Sequence, residues 1–223
     1  MLTAAACSAD DLPPADVRKI YAEGKNMELI GSKTYKNLAK AFAGECMAQN
    51  RYKYIEYGAR QKGYKNIASV IDEIVYQEFN HARMFYSFIQ AASNDTICNI
   101  DITSGYPFRQ KWELADNLAF AAEDERDEAE RIYPEYADIA EDEGFSDIAG
   151  LFGNVAAVEL RHNELFTRLH ELLAGGRLYK ADEPTVWRCA DCGYEAEGKS
   201  AFKVCPLCQA KQGSVVIPGI KTI

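Results

Sequence analysis

Between residues 33 and 174, apolar residues recur at alternating intervals of three and four, the period of one face of an α-helix. The pattern predicts four long helices, near residues 33–61, 65–92, 109–142 and 145–174. Their ends are marked by Gly63, Gly144 and the pair Gly175–Gly176, since glycine readily closes a helix C-terminus. The first stripe reads Leu38, Phe42, Glu45, Gln49, Tyr52. The second reads Ile67, Ile71, Ile74, Glu78, His81, Phe85, Phe88. The third reads Leu114, Leu118, Ala121, Glu125, Glu128, Ile132. The fourth reads Ile148, Phe152, Val155, Glu159, His162, Phe166, Leu169, Leu173. Each stripe is apolar except near its middle, where acids, or an acid and a histidine, interrupt it. Residues three apart share a helix face, so these groups point into one layer.

The first and third connections are short and predict two antiparallel helical hairpins. The middle one, "ASNDTICNIDITSGYPF", is long enough to run the length of a bundle. Two hairpins joined by one long crossover is the ferritin-like arrangement. The fold expected is therefore mainly α, a ferritin-like four-helix bundle over residues 33–175. Residues 1–32 read as an appended segment of unknown function, with a short helix expected from Pro14 to near Gly24. After a linker at 176–183 the helical period stops. Residues 184–223 hold glycine, proline and short β-branched runs such as "GSVVIP". So short a stretch needs a metal or disulfides to fold, and a small β-rich metal domain is expected.

The acid layer has an internal echo. Glu45 precedes Glu78-x-x-His81 by 33 residues, and Glu125 precedes Glu159-x-x-His162 by 34. Each hairpin offers one carboxylate from its first helix and Glu-x-x-His from its second, and two such halves make a six-ligand cage for two metal ions. Unpaired buried carboxylates cost several kcal/mol each, so five of them in one dry layer call for cations. Oxygen and imidazole donors suit iron or manganese. A single Glu-x-x-His is common on helix surfaces, but here two of the three histidines of the chain occupy the two matching motifs. Glu128 lies in the acid-rich run "EDERDEAER", for which a solvated face is the alternative. His170 has no acid three residues earlier and reads as structural.

Cys189-x-x-Cys192 and Cys205-x-x-Cys208 supply four thiolates for one tetrahedral metal. Spacing leaves iron and zinc both open. The net charge of −9 argues against nucleic acid as a partner. No run of eighteen apolar residues predicts a membrane span, and the N-terminus lacks the basic and apolar regions of a secretion signal. A cytoplasmic protein with reduced cysteines is expected.

Together these residues resemble rubrerythrin over about residues 30–223. "AFAGE" ending at Glu45, "RY" at Arg51 and Tyr52, the two Glu-x-x-His motifs, Glu125-x-x-Glu128 followed by "IYP", and "CADCGYEAEG" with "CPLC" carry the resemblance. It implies a non-haem diiron peroxidase that reduces hydrogen peroxide to water and protects against oxidative stress. Electrons would pass from a rubredoxin-type Fe(Cys)4 centre to the diiron site, giving two irons in the bundle and one at the cysteines, where zinc is a substitute. It implies bridging roles for Glu78 and Glu159, and terminal roles for Glu45, Glu125 and His162. It also implies an exchange of His81 for Glu128 on one iron, and tyrosines Tyr52 and Tyr133 that orient carboxylates. A reductase or a rubredoxin would supply the electrons. The sequence departs from the family in its longer N-terminus, in Ile132 where methionine is expected, and in lacking a proline before the second cysteine pair. The alternatives are a ferroxidase or iron-handling ferritin-like protein, which has no use for an attached electron donor, and a zinc-ribbon interaction module on a helical scaffold. His162 lies about twelve residues from the end of its helix, roughly 18 Å. With the linker beyond it, the two metal centres of one chain are expected far apart, and a head-to-tail homodimer brings them together.

Overall fold

The computed structural model describes residues 29–93, 95–97, 99–108 and 113–220. The short helix expected from Pro14 to Gly24 lies outside the described residues. Helix α1 spans Lys33–Gln61 and α2 spans Lys65–Ala91. After the crossover come α3 (Leu114–Asp127), a π-helical turn (Glu128–Ile132) and α4 (Tyr133–Asp142), which continue one another as the third helix of the bundle. Helix α5 spans Ser146–Ala174. Strands β1 (Lys180–Arg188) and β2 (Glu195–Ser200) follow.

Helices α1 and α2 are joined through Gly63, and α4 and α5 through Gly144. Both glycines have φ of +84°, which lets the chain reverse without a Cβ penalty. The N-terminus of α1 is tied in two ways. Ser32 Oγ accepts from the amide of Tyr35 at 2.9 Å. The carboxylate of Glu143, from the turn after α4, accepts from the amides of Lys33 and Thr34 and from the Thr34 hydroxyl. Three amides that the helix itself leaves unpaired are satisfied in this way, and the second hairpin is fastened to the first.

The core is divided by the acid layer. On one side Leu38, Phe85, Phe88, Ile148 and Phe152 pack together. On the other side Ile55, Ile67, Ile71, Leu118, Phe166 and Leu169 do the same. Each helix thus passes from one apolar cluster through the layer to the other, as its stripe predicts. The third helix differs in one respect. A continuous α-helix would put Ile132 on the stripe, but the π turn adds one residue, and the fully buried side chain is Tyr133. Pro134 accounts for the break, because it has no N–H to continue the α ladder.

The C-terminal region is small and β-rich. Strands β1 and β2 pair antiparallel, with Trp187 opposite Ala196. Trp187, Ala201 and Val215 form its core, and Trp187 Nε1 donates to Gly198 O at 2.9 Å. This region docks on the bundle end made by the α1–α2 turn. Leu178, Ile217 and Ile220 join the apolar cluster there. The Ile217 amide donates to Asn66 Oδ1, and Lys65 Nζ lies 3.3 Å from Asp191 Oδ2. Among the described residues no helix is long and apolar enough to cross a membrane.

Candidate metal centres

The structure brings six of the residues singled out by the stripes into two overlapping groups. One is Glu45, Glu78, His81 and Glu159; the other is Glu78, Glu125, Glu159 and His162. In each group, one ligand atom per residue lies within 4.8 Å of all the others, and every residue is buried. Glu78 and Glu159 belong to both. His81 Nδ1 is 2.9 Å from Glu159 Oε1, 3.1 Å from Glu78 Oε2 and 3.7 Å from Glu45 Oε2. His162 Nδ1 is 2.7 Å from Glu159 Oε2, 3.0 Å from Glu78 Oε1 and 3.7 Å from Glu125 Oε2.

The electrostatics are those of a site built around cations. Burial, then the charges of Glu159 and Glu78, push the Glu45 carboxyl well above its ordinary pKa. Burial, Glu78 and Glu159 do the same to Glu125. For His81, burial disfavours the imidazolium, but Glu159, Glu45 and Glu78 outweigh it and raise the pKa to about 12. Glu78 goes the other way: burial opposes its ionisation, and His162 and His81 overcome that and lower it. Five carboxylate oxygens, Glu45 Oε2, Glu78 Oε1, both of Glu125 and Glu159 Oε1, are buried without a hydrogen bond among the described residues. Imidazole nitrogens come within ion-pair distance of four of them, at 2.9–3.7 Å. Such orphaned oxygens cost free energy unless an ion takes them up. Four carboxylates and two neutral imidazoles match the charge of two divalent cations, and the oxygen–nitrogen donor set fits iron.

The remaining expected residues fall around these groups. Glu128 opens the π turn and belongs to neither group. Burial of its carboxyl, then Glu45, Glu125, Glu159 and Glu78, raise its pKa well above the usual value. The residue lines a cavity of about 240 Å³ between the crossover and the π turn. Two ion pairs stand in that wall, Arg51 with Asp124 at 3.0 Å and Arg131 with Asp127 at 2.6 Å. Tyr133 is fully buried, and its hydroxyl donates to Glu45 Oε1. Tyr52 is equally buried, 4.9 Å from the Phe166 ring, but its hydroxyl has no hydrogen-bond partner among the described residues. His170 is half-buried and bonds the Ala115 carbonyl at 2.8 Å. One residue was not anticipated: Gln77, whose Oε1 lies 2.6 Å from His162 Nε2. It precedes Glu78 in the chain, which is the only hint of it in the sequence.

Cys189, Cys192, Cys205 and Cys208 form the third group. Each pair sits on a tight turn. Gly193 N donates to Cys189 O and Cys189 N to Tyr194 O; Gln209 N donates to Cys205 O and Cys205 N to Ala210 O. The residue after each pair has positive φ, +76° at Gly193 and +63° at Gln209. The sulfurs approach crosswise, Cys189 to Cys208 at 3.7 Å and Cys192 to Cys205 at 3.6 Å. Burial raises the Cys205 pKa, but the amides of Cys208 and Leu207 outweigh it and lower the thiol to about 7. Amides aimed at sulfur favour the thiolate that a metal needs.

A bundle with a carboxylate–histidine layer, followed by a four-cysteine module, defines a ferritin-like protein with a rubredoxin-like appendage. The rubrerythrin family model matches residues 36–170, and the model of the rubrerythrin rubredoxin-like domain matches residues 187–214. Rubrerythrin of Clostridium perfringens is 38% identical over 180 residues, which are 81% of this chain and 91% of that protein. Rubrerythrin of Nitratidesulfovibrio vulgaris is 33% identical, over 86% of this chain and 97% of its own. A structure of nigerythrin in a partially reduced state superposes with a TM-score of 0.53 at 25% identity, over 83% of this chain and 89% of that one. A bacterioferritin from Desulfovibrio desulfuricans shares the fold, with a TM-score of 0.55 at 19% identity, over 70% of this chain and 87% of its own. The chain belongs to the rubrerythrin family. It is an oxidoreductase with a diiron carboxylate–histidine site and a four-cysteine rubredoxin-like site.

Proposed function

We propose that the protein is a peroxidase, reducing hydrogen peroxide with two electrons and two protons to two molecules of water, in defence against oxidative stress. One observation carries this reading: a two-metal acid layer and a one-electron four-thiolate site occur in the same chain. The chemistry supplied by bound iron is redox, two electrons for the O–O bond at the paired site, replaced one at a time through the cysteine site. A reductase or a rubredoxin would be the external donor, and the setting would be cytoplasmic.

In this reading Glu78, Glu159, Glu45, Glu125 and His162 would hold the two irons, Glu78 and Glu159 serving both positions and Glu45, Glu125 and His162 one each. Support comes from the sharing of Glu78 and Glu159 between the two groups. His81 and Glu128 would be alternative ligands for one iron, the imidazole suited to its reduced state and the carboxylate to its oxidised state. Glu128 starts a π turn, a helix irregularity common at functional sites, and it borders both the acid layer and the cavity. Tyr133 holds Glu45 through its hydroxyl, and Tyr52 lines the layer beside Glu125. The cavity wall carries Lys40, Arg51 and Arg131 against Asp124, Asp127 and Glu128. Its charges nearly cancel, which suits a small neutral oxidant.

The test is turnover. Anaerobically reduced protein is mixed with hydrogen peroxide or with dioxygen, and reoxidation is followed in the visible spectrum. Much faster oxidation by peroxide is expected. The reverse order would replace this reading with the ferroxidase one.

A further inference from the structure

The acid layer is close to twofold symmetric. The repeat pairs Glu45 with Glu125, Glu78 with Glu159 and His81 with His162, and the distances follow it. His81 Nδ1 stands 3.7 Å from Glu45, and His162 Nδ1 stands 3.7 Å from Glu125. Each imidazole also approaches both shared carboxylates at 2.7–3.1 Å. The symmetry fails on the far side of the two rings. His162 Nε2 is 2.6 Å from Gln77 Oε1. No hydrogen bond from His81 Nε2 is found among the described residues. The repeat explains the difference. Gln77 precedes Glu78, and the residue that precedes Glu159 is Val158, whose side chain has no acceptor.

An imidazole that gives its Nδ1 lone pair to a cation keeps its proton on Nε2. An acceptor at that proton fixes the tautomer and the ring plane, and makes the ligand nitrogen more basic. Gln77 does this for His162 from a neighbouring helix, and no described residue does it for His81. We propose that Gln77 is a positioning residue that makes the two metal positions unequal, holding His162 as a preset ligand while His81 stays free to turn. The inference rests on the two-metal reading of the layer and assigns a cause to an asymmetry within it. The histidine without a tether is also the one assigned above to exchange with Glu128.

The test is a titration of the full-length metal-free protein with Co2+ under reducing conditions. Cobalt at the cysteines is separated by its thiolate charge-transfer band, and the bundle ions are followed by their weaker d–d bands. The wild-type bundle should fill in two steps. Gln77→Leu should weaken the tighter step by about 10- to 100-fold, the usual effect of removing such a partner, so that the two steps merge. Gln77→Glu, which keeps an acceptor, should restore them. Val158→Gln should strengthen the weaker step. Equal steps in the wild type overturn the proposal, as does an unchanged Gln77→Leu titration or a folded Gln77→Glu protein that behaves like Gln77→Leu. If Gln77→Leu does not fold, Val158→Gln decides, and an unchanged weaker step overturns the proposal. Failure of the two-metal reading looks different: no Co2+ enters the wild-type bundle, while the cysteine site still fills.

Discussion

Tyr52 and Tyr133 flank the same acid layer and are both fully buried, yet their hydroxyls differ. Tyr133 donates to Glu45 Oε1, and Tyr52 has no partner among the described residues. Burial, then Glu45 and Glu128, raise the Tyr133 pKa well above its ordinary value, so the hydroxyl keeps its proton and remains a donor. Tyr133→Phe should therefore cost the metal-free protein about 1–2 kcal/mol in urea unfolding, a buried hydrogen bond lost with its acceptor left behind. Tyr52→Phe should be neutral or mildly stabilising, since it removes an unsatisfied polar atom. Glu128 invites a different measurement. Glu128→Ala should still bind iron in the reduced state, because His81 remains, but should turn over peroxide at least tenfold more slowly, a change of about 1.4 kcal/mol in the barrier. Iron binding with turnover at the wild-type rate would return Glu128 to the solvated acidic face. The six residues of the two groups were legible in the sequence because a buried acid breaks an apolar stripe. Gln77 was not, because its bond to His162 spans 85 residues and a glutamine beside a stripe breaks no pattern.

Four helical segments, their turns and the crossover could be read from period and glycines. What the period hid was the π turn. The expected stripe ran through Ile132, while the extra residue turns Tyr133 inward instead; Pro134 was its only visible sign. A deletion tests this account. Removing Ala129 would close the turn to an ordinary α-helix and keep Tyr133 on the buried face, so the variant should fold, with a lowered melting temperature. Removing Ala119 from α3 would rotate all that follows by about 100° and should abolish cooperative unfolding in circular dichroism. The cap on α1 is a second device without a local signature, since Glu143 comes from more than a hundred residues away. Burial opposes its ionisation, but bonds from Thr34 and Lys33 outweigh this and hold its pKa below the ordinary value. A carboxyl depressed in the folded state adds stability above the unfolded-state pKa of about 4.3 and loses it as pH falls further. Glu143→Ala should cost about 1 kcal/mol at pH 7. The difference from the wild type should shrink below about pH 4, as measured by melting temperature against pH.

The placement of the cysteine module could not be read from the sequence, because it depends on a long-range fit. A Cβ on Gly213 would overlap the carbonyl oxygen of Gly63, so the two backbones touch where the module meets the α1–α2 turn. The linker does not return along the bundle; Leu178 and Ile217 bury themselves at this end instead. Lys65 is thirteen residues from Glu78 on α2, about 20 Å along the helix axis, and the module lies beyond Lys65. Within one chain, therefore, the thiolate site and the acid layer are separated by at least that length, too far for rapid electron transfer. A second copy arranged head to tail would place each module beside its partner's acid layer, and twofold dimers are the commonest oligomers. A mixed dimer examines this. One chain carries Cys189→Ser and Cys192→Ser, the other Glu78→Ala and Glu159→Ala. Each variant alone should be inactive when electrons enter through the cysteine site. Mixed dimers should regain up to half of the wild-type activity, from the intact module of the second chain to the intact acid layer of the first. Verified mixed dimers that load metal normally and stay inactive would place the transfer within one chain, and would require the module to leave the α1–α2 turn during turnover.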